Sequence, residues 1–193
     1  MGDSSEYIKG KKEEVQNMKR VQEIYRHPYF QQCLEKNQKA EKTRVFCKHN
    51  MEHFLDVARL AYIFSLERGY SIKKEEIYVT ALLHDIGKWQ QYSDGIPHEK
   101  ASAGIADKIL REAGVTKDER TRILTAILNH RKKGKEEGTD SGYMADSLIG
   151  DETGEQLAEI LYDADKISRA CYMCPAEKEC NWSEEKKNLN IIW

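Results

Sequence analysis

A histidine and an aspartate stand side by side near the middle of this chain, directly after an apolar run. The run covers residues 77–83, and His84 and Asp85 follow it, with Gly87 two residues later. Burying polar side chains without partners costs about 2–7 kcal/mol per group, so a pair at the end of a buried run indicates that something binds there. Other metal-binding residue types are spread along the chain, namely His53 upstream and His98, His130 and Asp165 downstream.

These side chains predict a site for one or two divalent transition-metal ions. Imidazole nitrogen and carboxylate oxygen suit ions such as Fe, Mn, Co, Ni or Zn. Two ions about 3.5–4 Å apart can activate a water and hold the oxygens of a phosphoryl group. We expect Asp85 to bridge them and to orient the water. His53, His84 and Asp165 are expected to complete the first ion's ligands, and His98 and His130 to bind the second; without these last two, the site is mononuclear.

Basic residues near the predicted ligands indicate an anionic substrate. Lys88 lies one turn beyond His84, where its ammonium group can neutralise charge on phosphate oxygens, so we expect it to act in catalysis. Charge-assisted contacts of this kind are strong. The residues expected to contact substrate in addition to Lys88 are His49, Arg44 and Arg131. For any one arginine or lysine, a solvent-exposed side chain without a functional role is the alternative.

The elements that carry these residues are predicted to be helices, and the chain is predicted to be all-α. Apolar residues recur at helical spacing up to Gly69, which we expect to end the helix that carries His53. His49, four residues earlier, is expected on the same helical face. The apolar run before His84 is interpreted as the body of a helix capped by Ser71. A strand is the alternative for a short apolar run.

The rest of the chain is predicted to continue as loops and helices. Residues 90–97 are expected to form a loop because they contain turn-forming residues. A capping box, Thr116-x-x-Glu119, predicts the start of a later helix. The last long helix is expected to begin near Thr153, with Gln156 as a second capping-box partner.

Composition restricts the class of protein and its partners. The 193 residues carry a formal net charge of −2, which favours neither a nucleic acid nor a membrane surface as partner. No apolar run approaches the roughly 20 residues of a membrane span. Five cysteines without an evident disulfide pattern favour a cytoplasmic location. We divide the chain into an N-terminal helical segment packed on the core (1–40), a central domain (41–170) and a cysteine-containing tail (171–193). The expected partner is a small phosphorylated molecule, and a homodimer is left open.

Several motifs resemble the HD superfamily of metal-dependent phosphohydrolases over residues 44–170. The sequence His84-Asp85-Ile-Gly-Lys88 resembles the family signature, and the segment around His53 resembles the helix that carries the first ligand. Spacing alone does not separate Asp163 from Asp165 as the last ligand. The resemblance favours Asp165 and implies a single-domain helical bundle.

The resemblance also implies a class of substrate. His98 and His130 are similar to the additional ligands of dinuclear members, which include HD-type dinucleoside tetraphosphate hydrolases and cyclic-dinucleotide phosphodiesterases. The Gly-Tyr-Pro motif of the latter is missing from this sequence, and the length is nearer to that of the former. We therefore expect a phosphohydrolase that cleaves a phosphate ester or anhydride of a nucleotide or dinucleotide.

Two other functions are compatible with the same residues. Some HD-fold proteins with a similar ligand set use a mixed-valence di-iron centre to activate oxygen, so a di-iron oxygenase is one alternative. A non-catalytic module that binds a metal or a nucleotide is the other. The complete set of ligand positions argues against this module, because binding alone does not require all of them.

Three cysteines follow the last predicted ligand in the pattern Cys171-x2-Cys174-x5-Cys180. The spacing is typical of a small zinc or iron–sulfur site, but no fourth ligand stands nearby in the sequence. A redox pair is another interpretation, and buried thiols that cover the last ligand helix are the simplest one. The candidates for a distant fourth ligand are Cys33, Cys47 and His27.

Overall fold

Helices account for the regular secondary structure of residues 18–131 and 151–191, which are the residues described by the computed structural model. No strand occurs in these two ranges, so the predicted all-α fold is confirmed. The α-helices are α1 (Lys19–Arg26), α2 (Pro28–Ala40), α3 (Met51–Glu67), α4 (Lys74–Leu83), α5 (Lys88–Asp94), α6 (His98–Glu112), α7 (Lys117–Asn129) and α8 (Glu152–Ile167). Two short 3-10 helices, Cys171–Met173 and Glu184–Lys186, follow in the tail.

The core forms where the apolar faces of these helices meet. Helix α3 packs against α4 and α8, and α7 packs against α4, α6 and α8. The face predicted for α3 is buried as expected; it consists of Phe54, Val57, Ala58, Ala61 and Phe64. Close packing of this kind gives a rigid frame, because side chains in a dense core have little room to move. In the part of the chain that the structure describes, no helix is both long and apolar enough to cross a bilayer.

Two predicted helix boundaries, the end of α3 and the start of α7, are found where the sequence places them. Gly69 follows α3 with a φ of +67°, a left-handed conformation that glycine adopts without a steric penalty. At the start of α7, the Thr116 side chain accepts a hydrogen bond from the backbone N–H of Glu119. The Glu119 carboxylate does not complete the capping box, because it accepts two hydrogen bonds from Arg20 of α1 instead.

The caps predicted for two helices are wrong. Ser71 does not cap α4, because the backbone stays extended up to Lys73 and the helix begins at Lys74. Helix α8 begins at Glu152, close to the predicted start near Thr153, but Thr153 and Gln156 do not form its cap. The cap is Asp151, whose side chain accepts a hydrogen bond from the backbone N–H of Gly154 at 2.9 Å. Aspartate is among the best N-cap residues, since its oxygen satisfies a backbone donor in the first turn.

Two further predictions need correction. They are the loop at residues 90–97 and the placement of His49 on a helix. Most of that segment belongs to α5, which ends at Gly95 with a φ of +70°. His49 lies just before α3, because Asn50 is the N-cap of that helix and its side chain accepts from His53 N–H at 3.1 Å. His49 therefore approaches the site from a connecting segment and not from the face of α3.

Candidate metal centre

The structure brings all six predicted ligands into one buried cluster. They come from the main helices of the frame or from the segments directly beside them, and each side chain is buried. Residues that are distant in the sequence therefore become neighbours because their helices pack on one another. The ligands are His53 on α3, His84 and Asp85 at the end of α4, His98 at the start of α6, His130 at the end of α7 and Asp165 on α8.

Four of these residues form the first of two ligand groups. The ligand atoms of His53, His84, Asp85 and Asp165 all lie within 4.8 Å of one another. His53 Nε2 is 3.4 Å from Asp165 Oδ1, and His84 Nε2 is 3.3 Å from Asp85 Oδ2. Two imidazoles and two carboxylates at this spacing are a ligand set for a divalent transition-metal ion.

The second ligand group shares Asp85 with the first. His98 Nε2 is 3.2 Å and His130 Nε2 is 3.6 Å from Asp85 Oδ1, and the two imidazole nitrogens are 3.3 Å apart. The Asp85 carboxylate thus directs Oδ2 to the first group and Oδ1 to the second. This is the geometry expected of a carboxylate that bridges two metal ions.

Hydrogen bonds to the opposite ring nitrogen fix the orientation of the histidines. The Nδ1 atoms of His84 and His130 each lie 2.6 Å from a backbone carbonyl oxygen, that of Ala81 and that of Ile127. His98 Nδ1 lies 2.6 Å from the side-chain oxygen of Gln91. Because a carbonyl oxygen can only accept, Nδ1–H donates in His84 and His130, and Nε2 is the nitrogen that faces the cluster, as a metal-binding imidazole requires.

The electrostatics of the cluster favour ionised carboxylates, but they do not keep every imidazole neutral. Burial opposes ionisation of Asp85, but the surrounding imidazoles, His84 and His49 foremost, hold the pKa of its carboxyl well below the usual value. Burial and the charge of Arg169 lower the pKa of His53 to about 3. Burial opposes protonation of His84, but the Asp85 and Asp165 carboxylates raise its pKa to about 9. Charged carboxylates and neutral imidazoles are the forms that bind metal ions, so a bound ion would replace the His84 proton.

Two buried atoms of the cluster show that a cation fits there. His84 Nε2 and Asp85 Oδ1 are shielded from solvent and have no hydrogen-bond partner among the described residues. An unpaired buried polar group costs about 1–3 kcal/mol, and more when it is charged, unless a ligand satisfies it. The cluster therefore fits a divalent metal ion, which would accept lone pairs from both atoms.

The turn that carries His84 and Asp85 is held from two sides. The Asn37 side chain on α2 donates to the Asp85 carbonyl oxygen at 2.9 Å and accepts from the Trp89 backbone N–H at 2.8 Å. On the other side, Gly87 N–H donates to the Ser102 hydroxyl at 3.0 Å. These contacts bring α2 and α6 onto the turn and fix the position of the bridging carboxylate.

A cavity of about 550 Å³ opens onto the cluster and contains the four predicted substrate-binding residues. Lys88, Arg44, His49 and Arg131 all line it. Lys88 Nζ is 3.1 Å from His98 Nδ1, and Lys88 forms no ion pair within the described ranges. A polar cavity of this size is large enough for a small phosphorylated molecule.

The family model of the HD domain matches residues 50–170. The chain belongs to the HD domain family. A protein of Clostridium beijerinckii described as "Uncharacterized protein" is 43% identical over 160 residues, which cover 83% of this chain and 90% of that protein. No solved structure matches the chain. HD domains are in general metal-dependent hydrolases, in agreement with the buried His/Asp cluster.

Of the two candidate aspartates, the structure places Asp165, which the family resemblance favours, in the cluster. Asp165 is buried and belongs to the first ligand group. Asp163 lies outside both groups, and its carboxylate binds the Arg68 guanidinium at 2.5 Å. The two aspartates are separated because positions two apart on a helix point in different directions.

Arg169 is the main residue of the HD site that sequence reasoning missed. Its guanidinium is buried and donates to Asp165 Oδ1 at 2.8 Å and to His53 Nε2 at 3.0 Å. A metal ion bound to His53 would require Arg169 to release that nitrogen and turn toward the cavity, which it also lines. The i, i+4 spacing from Asp165 was the available signal, since such pairs are neighbours on a helix.

His49 is anchored by a second residue that the sequence did not reveal. Its Nδ1 lies 2.5 Å from the buried Glu41 carboxylate, and its Nε2 lies 3.5 Å from Asp85 Oδ2. Burial opposes ionisation of Glu41, but the hydrogen bond to His49 lowers the pKa of the carboxyl to about 2. The Glu41 carboxylate thus holds the His49 ring against the bridging carboxylate.

Proposed function

We propose that this HD-domain protein is a metal-dependent phosphohydrolase that cleaves a phosphate ester or anhydride. The observation that carries the proposal is the Asp85 carboxylate, whose two oxygens face two separate ligand groups inside a cavity with several cationic residues. A pair of ions held there would supply an activated water and hold the phosphoryl oxygens.

The chain's own residues have separate tasks in this proposal. Asp85, together with the histidines and Asp165, provides the ligands and keeps the attacking water in line with the phosphorus. Lys88 lies beside His98 without a carboxylate partner in the described ranges, so its charge is available to the substrate phosphate. Arg44 and Arg131 line the same cavity and are proposed to bind the remaining phosphates.

Aromatic residues in the cavity support a nucleotide or dinucleotide as the substrate. Phe46, Tyr162 and Trp182 are half-buried and line the cavity together with the cationic residues. Base stacking on an aromatic ring contributes about 1–3 kcal/mol per base. A dinucleoside polyphosphate, with a base at each end of a phosphate chain, is the substrate that we would test first.

The test is phosphate release by the purified protein with Mn²⁺, Co²⁺ or Fe²⁺, using dinucleoside polyphosphates, nucleoside phosphates and a chromogenic phosphate ester. We expect Asp85→Asn to lower kcat/KM more than about 100-fold, because the loss of even an outer partner of a metal ligand costs 10–100-fold. Asp56→Asn is the matched control, since Asp56 pairs with Arg59 outside the cluster. Equal turnover by the Asp85→Asn variant and the unaltered protein would contradict the proposal.

The same purified protein can be used to test the alternative function, a di-iron oxygenase. Oxygen uptake by the iron-loaded protein, without phosphate release from any of these substrates, would favour it over hydrolysis. The cationic side chains around the cavity favour the phosphohydrolase, because an oxygenase for an uncharged substrate has no need of them.

A further inference from the structure

Four cysteines line the cavity beside the HD site, and the proposed hydrolysis does not use them. Cys171, Cys174 and Cys180 come from the tail, and Cys47 comes from the segment between α2 and α3. All four are free thiols. In a reducing compartment, clustered cysteines indicate metal binding or catalysis more often than disulfides.

Cys47 is the fourth cysteine that the tail motif lacks in the sequence. Cys47, Cys171 and Cys174 line the same cavity, and Cys47 interacts electrostatically with the other two thiols. Cys33 is buried elsewhere, where its thiol contacts Trp89 and Tyr29.

His27, the remaining candidate for a fourth ligand, is also engaged elsewhere. Its Nε2 contacts Glu112 at 2.9 Å, and its Nδ1 accepts from the Tyr29 backbone N–H at 3.2 Å. Of the three distant candidates, Cys47 is therefore the one that the fold brings to the tail cysteines.

The tail buries too few apolar side chains for packing alone to hold it in place. Between residues 170 and 191, the buried apolar side chains are those of Cys171 and Ala176. Polar contacts hold one end, where the Asn188 side chain donates to the carbonyl oxygens of Lys166, Ile167 and Arg169. Short segments with so little core are usually stabilised by a metal site or by disulfides.

The spacing of the sulfurs argues against a single tetrahedral ion. A zinc ion bound by four cysteines holds its sulfurs about 3.8 Å apart, since each Zn–S bond is about 2.3 Å in a tetrahedron. No three of the described cysteine sulfurs lie within 4.8 Å of one another. A four-iron cluster binds each cysteine through a different iron, so its ligand sulfurs lie farther apart.

Cationic groups near the thiols favour an anionic centre. The Arg169 charge acts on Cys47, and Cys180 interacts electrostatically with Lys187, whose ammonium group is held by Glu177 at 2.6 Å. Burial keeps the pKa of Cys47 raised despite Arg169, so these cations would act by balancing the negative charge of a bound centre.

We propose that Cys47, Cys171, Cys174 and Cys180 bind an iron–sulfur cluster of the four-iron type. The cluster ties the tail to the segment before α3 and so fixes one wall of the substrate cavity. This site is separate from the His/Asp cluster and does not depend on the proposed hydrolysis.

The test is the content of acid-labile sulfide in the full chain, produced with iron and sulfide available and purified without oxygen. Sulfide distinguishes the two sites, because the His/Asp cluster would bind bare ions only. We expect about four sulfides per chain, with brown visible absorption that bleaches on reduction. Cys47→Ser and Cys174→Ser should each lose most of this sulfide and colour.

Two variants separate loss of the cluster from loss of the fold. Cys33→Ser replaces a buried cysteine outside the site and should retain the sulfide, and Asp85→Asn should retain it while losing the other metal. Absence of sulfide from the unaltered protein, zinc bound in a Cys47-dependent manner, or full sulfide content in Cys47→Ser would each overturn the proposal.

Discussion

Asp85 is the residue on which the proposed chemistry depends, since both ligand groups contain it. Its side chain is short, and its backbone carbonyl accepts a hydrogen bond from Asn37. The carboxylate therefore has little freedom to move toward one ligand group and away from the other. Each oxygen therefore keeps its own set of imidazole neighbours. Such positioning by the surrounding protein is what allows a site to hold ions at a fixed separation.

Gly87 permits this positioning because α6 passes very close to its backbone. A Cβ atom at this position would lie 2.5 Å from Ser102 N and 2.7 Å from the Ala101 carbonyl carbon. Both are backbone atoms and cannot turn away. We expect Gly87→Ala to lower the free energy of unfolding by about 1–3 kcal/mol, the usual cost of overpacking, and to weaken metal binding. Urea denaturation and metal titration measure the two effects.

Gly104 provides the control for this substitution. It lies on the exposed side of α6, and a Cβ atom added there meets nothing within 4 Å. Gly104→Ala should raise the free energy of unfolding by about 0.5–1 kcal/mol, since alanine favours a helix over glycine. If both variants change stability equally, close packing is not the reason for glycine at position 87.

Helices α6 and α7 supply the second ligand group, and their packing decides whether the site holds one ion or two. His98 opens α6 and His130 closes α7, so the contact between these helices sets the 3.3 Å between the imidazole nitrogens. We expect His130→Ala to reduce the bound metal from about two ions per chain to one, because the second group loses one of its three ligands. Elemental analysis with circular dichroism measures metal content and helicity together.

His27→Ala is the matched control for that experiment. The His27 ring contacts Glu112 and the first turn of α2, away from the ligand groups, so its loss should leave the metal content unchanged. Full metal content in His130→Ala would mean that this histidine is structural and not a metal ligand.

The sequence predicts best those helices in which apolar residues recur at helical spacing over several turns. The buried face of α3 and the end of that helix at Gly69 follow from local pattern. Helix α5 was predicted as a loop because its support is tertiary: the Trp89 N–H in its first turn bonds to Asn37, 52 residues away. The same reason explains why the sequence reveals the six residues of the cluster but not Arg169. Ligands are marked by residue type, whereas a buried arginine is marked only by its contacts.

At the scale of the whole molecule, the ligands connect most of the helical frame. His53, the His84–Asp85 turn, His98, His130 and Asp165 belong to separate segments that unfolding would pull apart. Without a bound ion, the buried carboxylates are balanced by the imidazoles, by Arg169 and by Lys166, which donates to Asp165 Oδ2 at 2.7 Å. Ion binding is therefore coupled to folding, because the unfolded chain does not assemble the ligand set.

This coupling predicts that metal ions raise the thermal unfolding midpoint. An ion present at 100 times its Kd stabilises the native state by about 2.7 kcal/mol, which for a chain of this length raises Tm by roughly 5–10 °C. We expect Mn²⁺ or Co²⁺ to produce this shift, a chelator to reverse it, and Asp85→Asn to abolish it. Cys47→Ser should still show the metal-induced rise in Tm, because Cys47 belongs to the cysteine site and not to the His/Asp cluster. A Tm that stays the same with chelator and with metal would mean that the His/Asp cluster does not bind these ions in the folded protein.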